Sequence, residues 1–381
     1  MTRSTPRLSP RTVFARKKSN SIQTYFEECG VTQYSFYGYG KVAMRDGIDV
    51  LSGEKPDATN VVLPAYLPYG IVEPFREAGL EPRFYTCDRT LRPDVDRIKE
   101  LLDADSLAVM FVHYFGQPQS REDIAAIREL SAEYDAYVVD DNAHSALSTL
   151  DGQLLGTFGD IGITSLRKTL PIPNGAVLFL TNSDLSDSLH KRSAIRDGYT
   201  KVDYRYCVRS FGRSVSGQPV LKHVLSTVRW VEGRRPQKTN GQVHASEIEA
   251  NPREVYESTK VAMSRLAKHV IDRIDPIDVI AARRANYRIW DHEIRNLDGV
   301  TPVFDSLADG ACPQYYPVII DDTEDLGVLS AVGKSWPPLP RDVKDNVGFE
   351  TENYLSSHLH TLPVHQGLDL RGLGPFSEPT K

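Results

Sequence analysis

The sequence predicts an α/β protein in which a mostly parallel sheet lies between helices, followed by a smaller α+β unit. Three observations predict it. Short apolar runs recur between Val61 and Asn142, amphipathic stretches of helical period separate them, and the pattern changes in the last third of the chain. Strands that alternate with helices at this spacing need crossover connections, which pair the strands in parallel and cover both faces of the sheet.

The elements follow in order. VVLP (61–64) is a proline-bounded apolar run and reads as a buried strand, and GIVEPFREAG (70–79) reads as the helix after it. EPRFYTCD (81–88) is the next strand, and DVDRIKELLDAD (94–105) a helix with Ile98, Leu101 and Leu102 on one face. SLAVMFVHYFG (106–116) is a second wholly apolar strand. SREDIAAIRELSAEYD (120–135) is an amphipathic helix with Ser120 as N-cap and an acidic first turn. AYVVDDNAH (136–144) closes the series as a strand. From about 183 to 258 the chain turns polar and loses clean period, KTNGQVHASEIEANPRE being its clearest loop. Helical period returns in VAMSRLAKHVIDRI and DVIAARRANYRIWDHEIRNL, then come a strand, QYYPVII, a turn, WPPLP, a helix, ENYLSSHL, and LPVHQGL. We read a large domain over 1–258, with the divergent excursion at about 183–258, and a small domain over 259–381.

Composition bounds the partners. A chain of 381 residues exceeds one ordinary core. The net charge of −6 does not point to nucleic acid, and no apolar run approaches the roughly 18 residues of a membrane span. Cys29, Cys87, Cys207 and Cys312 are scattered without CxxC spacing, which fits a reducing cytoplasm rather than a disulfide framework. No acidic residue precedes Glu27, while Arg3, Arg7, Arg11, Arg16, Lys17 and Lys18 do. That segment reads as a basic, partly disordered arm; a transit peptide is the other reading.

In open parallel sheets ligands sit beyond the carboxyl ends of the strands, which points to the loops after VVLP and MFVHY and to Asp140-Asp141-Asn142-Ala143-His144. Downstream, TSLRKTLP places Ser165 three residues before Lys168. Upstream, YGYGKVAM places Gly38 and Gly40 before a helical stretch. Each piece has a use in pyridoxal phosphate chemistry. The cofactor needs a lysine amine for its aldehyde, a carboxylate against its pyridine nitrogen, and a phosphate cup such as a glycine turn at a helix N-terminus. Lys168, Asp141 and the glycine turn of Gly38 and Gly40 supply these, Ser165 adds a phosphate donor, and His144 reaches the ring or its phenolic oxygen. Singly, each has a plainer reading: Asp141 as a turn residue, His144 as a structural histidine, YGYG as an ordinary turn. A metal-dependent hydrolase built on His358, His360 and His365 is a rival, with His358 and His360 sharing a face if they lie on a strand, but no carboxylate pattern accompanies them.

The motifs, in order, resemble the DegT-type sugar aminotransferases. YGYGKVAM is similar to the family's glycine turn and first helix, FVHYFGQP to its His-x-x-Gly-Gln-Pro segment, and VVDDNAH to its Glu-Asp-Ala-Ala-Gln/His run. GTFGDIGITSLRK is similar to the stretch leading to the reactive lysine, and RRANYRIW and LPVHQGL to segments of its small domain. The resemblance implies a fold-type-I pyridoxal phosphate transferase, with Lys168 as the Schiff-base lysine, Asp141 at the pyridine nitrogen and His144 in contact with the ring. It also implies an amino acid donor (glutamate by analogy), a keto acceptor on a nucleotide-linked sugar, and a homodimer. Other reaction types, or a non-sugar carbonyl, stay open. Three departures stand out. Lys41 replaces the family's threonine, and either pairs with phosphate or faces solvent. Ser165 rests on the general Ser-x-x-Lys pattern. The aromatic that stacks on the cofactor falls near Leu67-Pro68, so Tyr66, Tyr69 or His113 takes its place.

Overall fold

The computed structural model of the chain describes residues 5–144, 146–188, 195–212, 252–295, 297–321, 334–335 and 338–370. In chain order the first strands are β1 (Tyr34–Tyr37), β2 (Asn60–Pro64), β3 (Glu81–Tyr85), β4 (Ser106–Val112) and β5 (Tyr137–Asn142). A small hairpin, β6 (Thr149–Leu150) and β7 (Gln153–Leu154), precedes β8 (Ile161–Thr164) and β9 (Ala176–Leu180). All but the hairpin form one 7-stranded sheet in the order β3-β2-β4-β5-β8-β9-β1. The pairs from β3 to β8 are parallel, whereas β9 runs antiparallel to both β8 and β1. The mostly parallel sheet expected from the sequence is therefore present, with an antiparallel strand near one edge.

The apolar runs read as strands because both faces are covered. Their period of two shows in β2, where Val61 and Leu63 join one core with Ala43, Ile48 and Leu51 of the Gly40–Glu54 helix, and Val62 joins another with Ile98, Ile124 and Ile127. The Arg121–Glu133 helix begins at Ser120, whose hydroxyl accepts from the Asp123 amide, as its sequence signals.

A second sheet follows, formed by β10 (Val300–Pro302), β11 (Tyr315–Ile320), β12 (Lys334–Ser335) and β13 (Leu359–Pro363) in the order β10-β11-β13-β12, all antiparallel. The Pro276–Ile294 helix packs Tyr287, Trp290 and Ile294 on Tyr316, Val318 and Leu362 of this sheet, and the Trp290 indole donates to the Pro363 carbonyl at 2.9 Å. The Arg265–Ile271 helix instead shares a core with Phe26, Val177 and Phe179 beside the large sheet.

The basic arm differs from the expectation of partial disorder. From Thr5 onward it is docked: Leu8 is fully buried, and the Pro10–Phe14 helix is capped by Ser9. The Lys18 amide donates to the Asp272 carbonyl at 2.9 Å, and Arg273 donates to the Ala15 carbonyl at 3.0 Å. Docking through backbone carbonyls leaves no apolar period in the sequence to announce it. Of the polar stretch 183–258, residues 189–194 and 213–251 lie outside the described residues, and the KTNGQVHASEIEANPRE loop falls almost wholly among them. Among the described residues no helix is long and apolar enough to cross a membrane.

Candidate active site

The parallel strands β2, β4, β5 and β8 end on one edge, and the candidate residues collect there. Alternation along β5 sends Asp140 and Asp141 to opposite faces. Asp140 is structural: its Oδ2 accepts from the Gly156 and Phe158 amides at 2.9 and 3.0 Å, and its Oδ1 lies 3.2 Å from His113 Nε2. Asp141 is 5% exposed, pairs in register with Val112 of β4 and Ile163 of β8, and accepts from the Ala143 amide at 2.8 Å. Burial pushes its carboxyl up, and the Lys168 ammonium is the largest influence drawing it back. His144, buried one turn past β5, is held well below its usual pKa by burial first and the Lys168 charge second. Its Nδ1 accepts from the Phe115 amide at 3.0 Å, so the neutral ring carries its proton on Nε2. Asp141, His144 and Lys168 thus form one electrostatic cluster.

Lys168 sits on the one-turn Leu166–Thr169 helix directly after β8, with Ser165 at the N-cap making no side-chain capping bond. Leu166 anchors this turn in the core, and the Lys168 amide donates to the Ser165 carbonyl at 3.1 Å. The glycine run before it is a packing device: a Cβ on Gly162 would stand 1.7 Å from the Gly156 carbonyl oxygen.

Gly40 and Lys41 open the Gly40–Glu54 helix, whose N-cap, Tyr39, supplies no side-chain bond. The Val42 and Ala43 amides donate to the Tyr39 carbonyl, while those of Gly40 and Lys41 receive no side-chain cap, as an anion site requires. The crowded glycine is Gly38, where a Cβ would meet the Val261 carbonyl oxygen at 2.0 Å; at Gly40 the nearest atom is an ordinary 3.6 Å away. Gly38→Ala is expected to destabilise the protein by about 1–3 kcal/mol through overpacking against backbone, with Gly40→Ala the milder change, as read by the urea midpoint. Lys41 is half-buried. Its Nζ lies against Gly70, and burial together with the Arg167 charge draws it down to about 8, opposed by Glu73. The Arg167 guanidinium lies 5.3 Å from the Tyr39 ring centroid. Arg167 stands inside the quoted TSLRK motif, yet its nearness to Lys41 has no sequence signal.

The aromatic substitutes resolve differently from expectation. His113 faces Asp140 and accepts from the Gln119 amide at 2.9 Å, on the side of the sheet away from Asp141, so it does not serve as a stacking partner. Tyr69 lies between the Arg76 and Arg341 guanidiniums, at 5.7 and 5.5 Å. Tyr66 is fully buried, 5.8 Å from the Tyr114 ring. Phe115 stacks on His144 of the cluster at 5.5 Å and 22°. His358 ends the Glu350–His358 helix and stacks on Tyr354, while His360 lies on β13, so the two do not share a strand face.

His365 of LPVHQGL is drawn down to about 4 by burial first, then by the Arg283 and Arg7 charges. Above pH ~6.5 both folded and unfolded chains hold it neutral. As pH falls below that, the unfolded chain takes up the proton first, so stability falls until about pH 4. His144 acts in the same direction. Stability measured by urea titration is expected to drop by ~1–3 kcal/mol across this window, with a shallower drop in His365→Asn; an unchanged slope in that variant would remove His365 as the cause.

The donor set fits pyridoxal phosphate. One carboxylate and one amine are electrostatically coupled at the sheet edge, and an uncapped helix N-terminus with two neighbouring cations matches a dianionic phosphate. Residues 40–215 match the DegT/DnrJ/EryC1/StrS aminotransferase family, which bears out the resemblance read from the sequence. GDP-perosamine synthase of Vibrio cholerae is 28% identical over 149 residues, 38% of this chain and 39% of that protein. The chain spans about two fifths of the length of the curated relatives it matches. Among solved structures, the sugar aminotransferase CalS13 from Micromonospora echinospora superposes with a TM-score of 0.63 at 17% identity, covering 97% of this chain and 96% of that one. The GDP-4-keto-6-deoxy-D-mannose-3-dehydratase of E. coli, with bound hydrated PLP, superposes with a TM-score of 0.61 at 16% identity, covering 92% and 88%. These likenesses establish the fold-type-I architecture.

Proposed function

We propose that this chain, matched to the DegT/DnrJ/EryC1/StrS aminotransferase family over residues 40–215, moves an amino group from an amino acid to the keto group of a nucleotide-linked sugar with pyridoxal phosphate. The observation that carries the reading is the coupling of buried Asp141 with Lys168 at the carboxyl edge of the sheet. When bound, the cofactor supplies an aldehyde that takes up the amine and a pyridine ring that draws electrons from the donor Cα. The chain's own residues do the rest. Asp141 holds a proton on the ring nitrogen. The Nε2 proton of His144 reaches the phenolic oxygen. Ser165, Lys41, Arg167 and the amides at Gly40 and Lys41 hold the phosphate.

With the cofactor bound, Lys168 would take the proton from the donor Cα and give it back at C4′. A lysine suits this exchange, since a neutral amine accepts the proton and its ammonium returns it. In this reading Lys168 is the group that makes the reaction an amino transfer. Glutamate is the donor in this reading. The enzyme acts as a cytoplasmic homodimer with lobes at 1–258 and 259–381, the Arg265–Ile271 helix crossing back onto the large sheet.

The test is an absorbance scan of purified protein loaded with pyridoxal phosphate, followed by borohydride and peptide mass analysis. A near-violet band, an adduct on Lys168, and loss of the band with release of 2-oxoglutarate on adding glutamate are expected. An adduct on another lysine refutes the site, and no response to glutamate refutes the donor.

A further inference from the structure

We infer that Arg283 is a positioning residue for Lys168, which rests on Lys168 being the amine that engages the cofactor. The Leu166–Thr169 helix is a single turn, too short to hold itself. Its first turn is tied down by the Arg167 amide, which donates to the Gly175 carbonyl at 3.3 Å. Its last carbonyl, that of Thr169, belongs to the 169–170 peptide, one peptide beyond the one that follows Lys168. That oxygen accepts from Arg283 Nη2 at 2.8 Å and from Gln366 Nε2 at 3.1 Å. The two donors are locked to each other, because Arg283 Nε donates to Gln366 Oε1 at 3.0 Å. Arg283 Nη1 completes the fork by donating to the Pro313 carbonyl at 2.9 Å.

The setting is unusual for a structural arginine. Arg283 is 1% exposed, and the partners just named are carbonyl and amide oxygens rather than carboxylates. Burying a guanidinium without a counter-ion is unfavourable, and an apolar side chain of similar volume would pack there at less expense. What the guanidinium adds is a planar, five-donor fork that fixes several acceptors in one rigid geometry. The fork is carried by the 19-residue Pro276–Ile294 helix, a stiff platform beside the small sheet. Its cationic end also meets the C-terminus of the short helix, where the peptide dipoles favour positive charge. The 169–170 peptide is thereby held from the small sheet's side of the molecule, and through it the end of the single turn that carries Lys168.

Arg284 provides the internal control, because it too donates to carbonyls, of Ala308 and Ala311 at 2.7 and 2.9 Å, but does not touch Thr169. The experiment loads wild type, Arg283→Met, Arg283→Lys and Arg284→Met with pyridoxal phosphate. It follows the rate at which a borohydride-trapped adduct appears on Lys168, alongside cofactor affinity and the split of kcat from donor KM. Arg283→Met is expected to slow adduct formation and kcat by roughly 10- to 100-fold, as for a reacting group misplaced by about 1 Å, with donor KM little changed. Arg283→Lys should recover part of the loss, and Arg284→Met should stay within about 2-fold of wild type. If Arg283→Met does not fold, Gln366→Ala removes only the second donor to Thr169 and should slow the adduct by a smaller factor. Wild-type adduct rates in the folded Arg283→Met, or in Gln366→Ala if that variant must stand in, overturn the inference. A wild-type protein that forms no adduct on Lys168 overturns the underlying functional reading instead.

Discussion

Lys168→Ala is expected to lose amino transfer by at least about 10⁴-fold, because one side chain supplies both the amine that engages the cofactor and the base that moves the Cα proton. The fold should survive. Lys168 is only half-buried, and the turn that carries it is anchored by Leu166 and by the bonds to Thr169 rather than by the lysine itself. The variant should still bind pyridoxal phosphate through the phosphate-facing groups, with no borohydride adduct at position 168. A small amine such as methylamine, added at high concentration, should restore part of the proton-transfer rate. Activity within tenfold of wild type would remove Lys168 from the mechanism.

Asp141→Asn is the second large effect and separates activity from stability. Asparagine keeps the shape of the side chain but has no charge to hold a proton on the ring nitrogen, so kcat should fall by about 10²–10³-fold. Stability should hold or rise. Burial already pushes the Asp141 carboxyl up, meaning the fold pays to keep it ionised there, and a neutral amide is relieved of that. Paired measurements of kcat and the urea midpoint decide it. A variant that loses stability while retaining kcat would make Asp141 a structural residue.

How much of this was legible beforehand differs from element to element, for physical reasons. VVLP, SLAVMFV and YVVDDN were readable as strands because a sheet buried on both faces demands continuous apolar runs, and they became β2, β4 and β5. β1, β8 and β9 were not read as strands. IGIT is four residues with a glycine, and YSFY pairs antiparallel near the edge, so neither shows the long apolar signature. Asp141, His144 and Lys168 are legible because each stands at, or a few residues past, the carboxyl end of a strand, on the edge where such sheets bind ligands. His113 was misread because its motif gives position along the strand but not the face, and β4 turns it towards Asp140. Lys41 has two readings, pairing with phosphate or facing solvent, and its half-buried place with Nζ against Gly70 has no signal in the sequence.

By itself the sequence determined the layered α/β fold, the order of its helices, and the residue types at the strand ends, because burial period and turn chemistry are local properties of the chain. The tertiary structure alone decided that Asp140 turns to His113, that the Arg167 charge acts on Lys41, and that Arg283 reaches Thr169 across 114 positions. Those relations join segments far apart in the chain, and no period or spacing records a contact whose partners are brought together only by the completed packing.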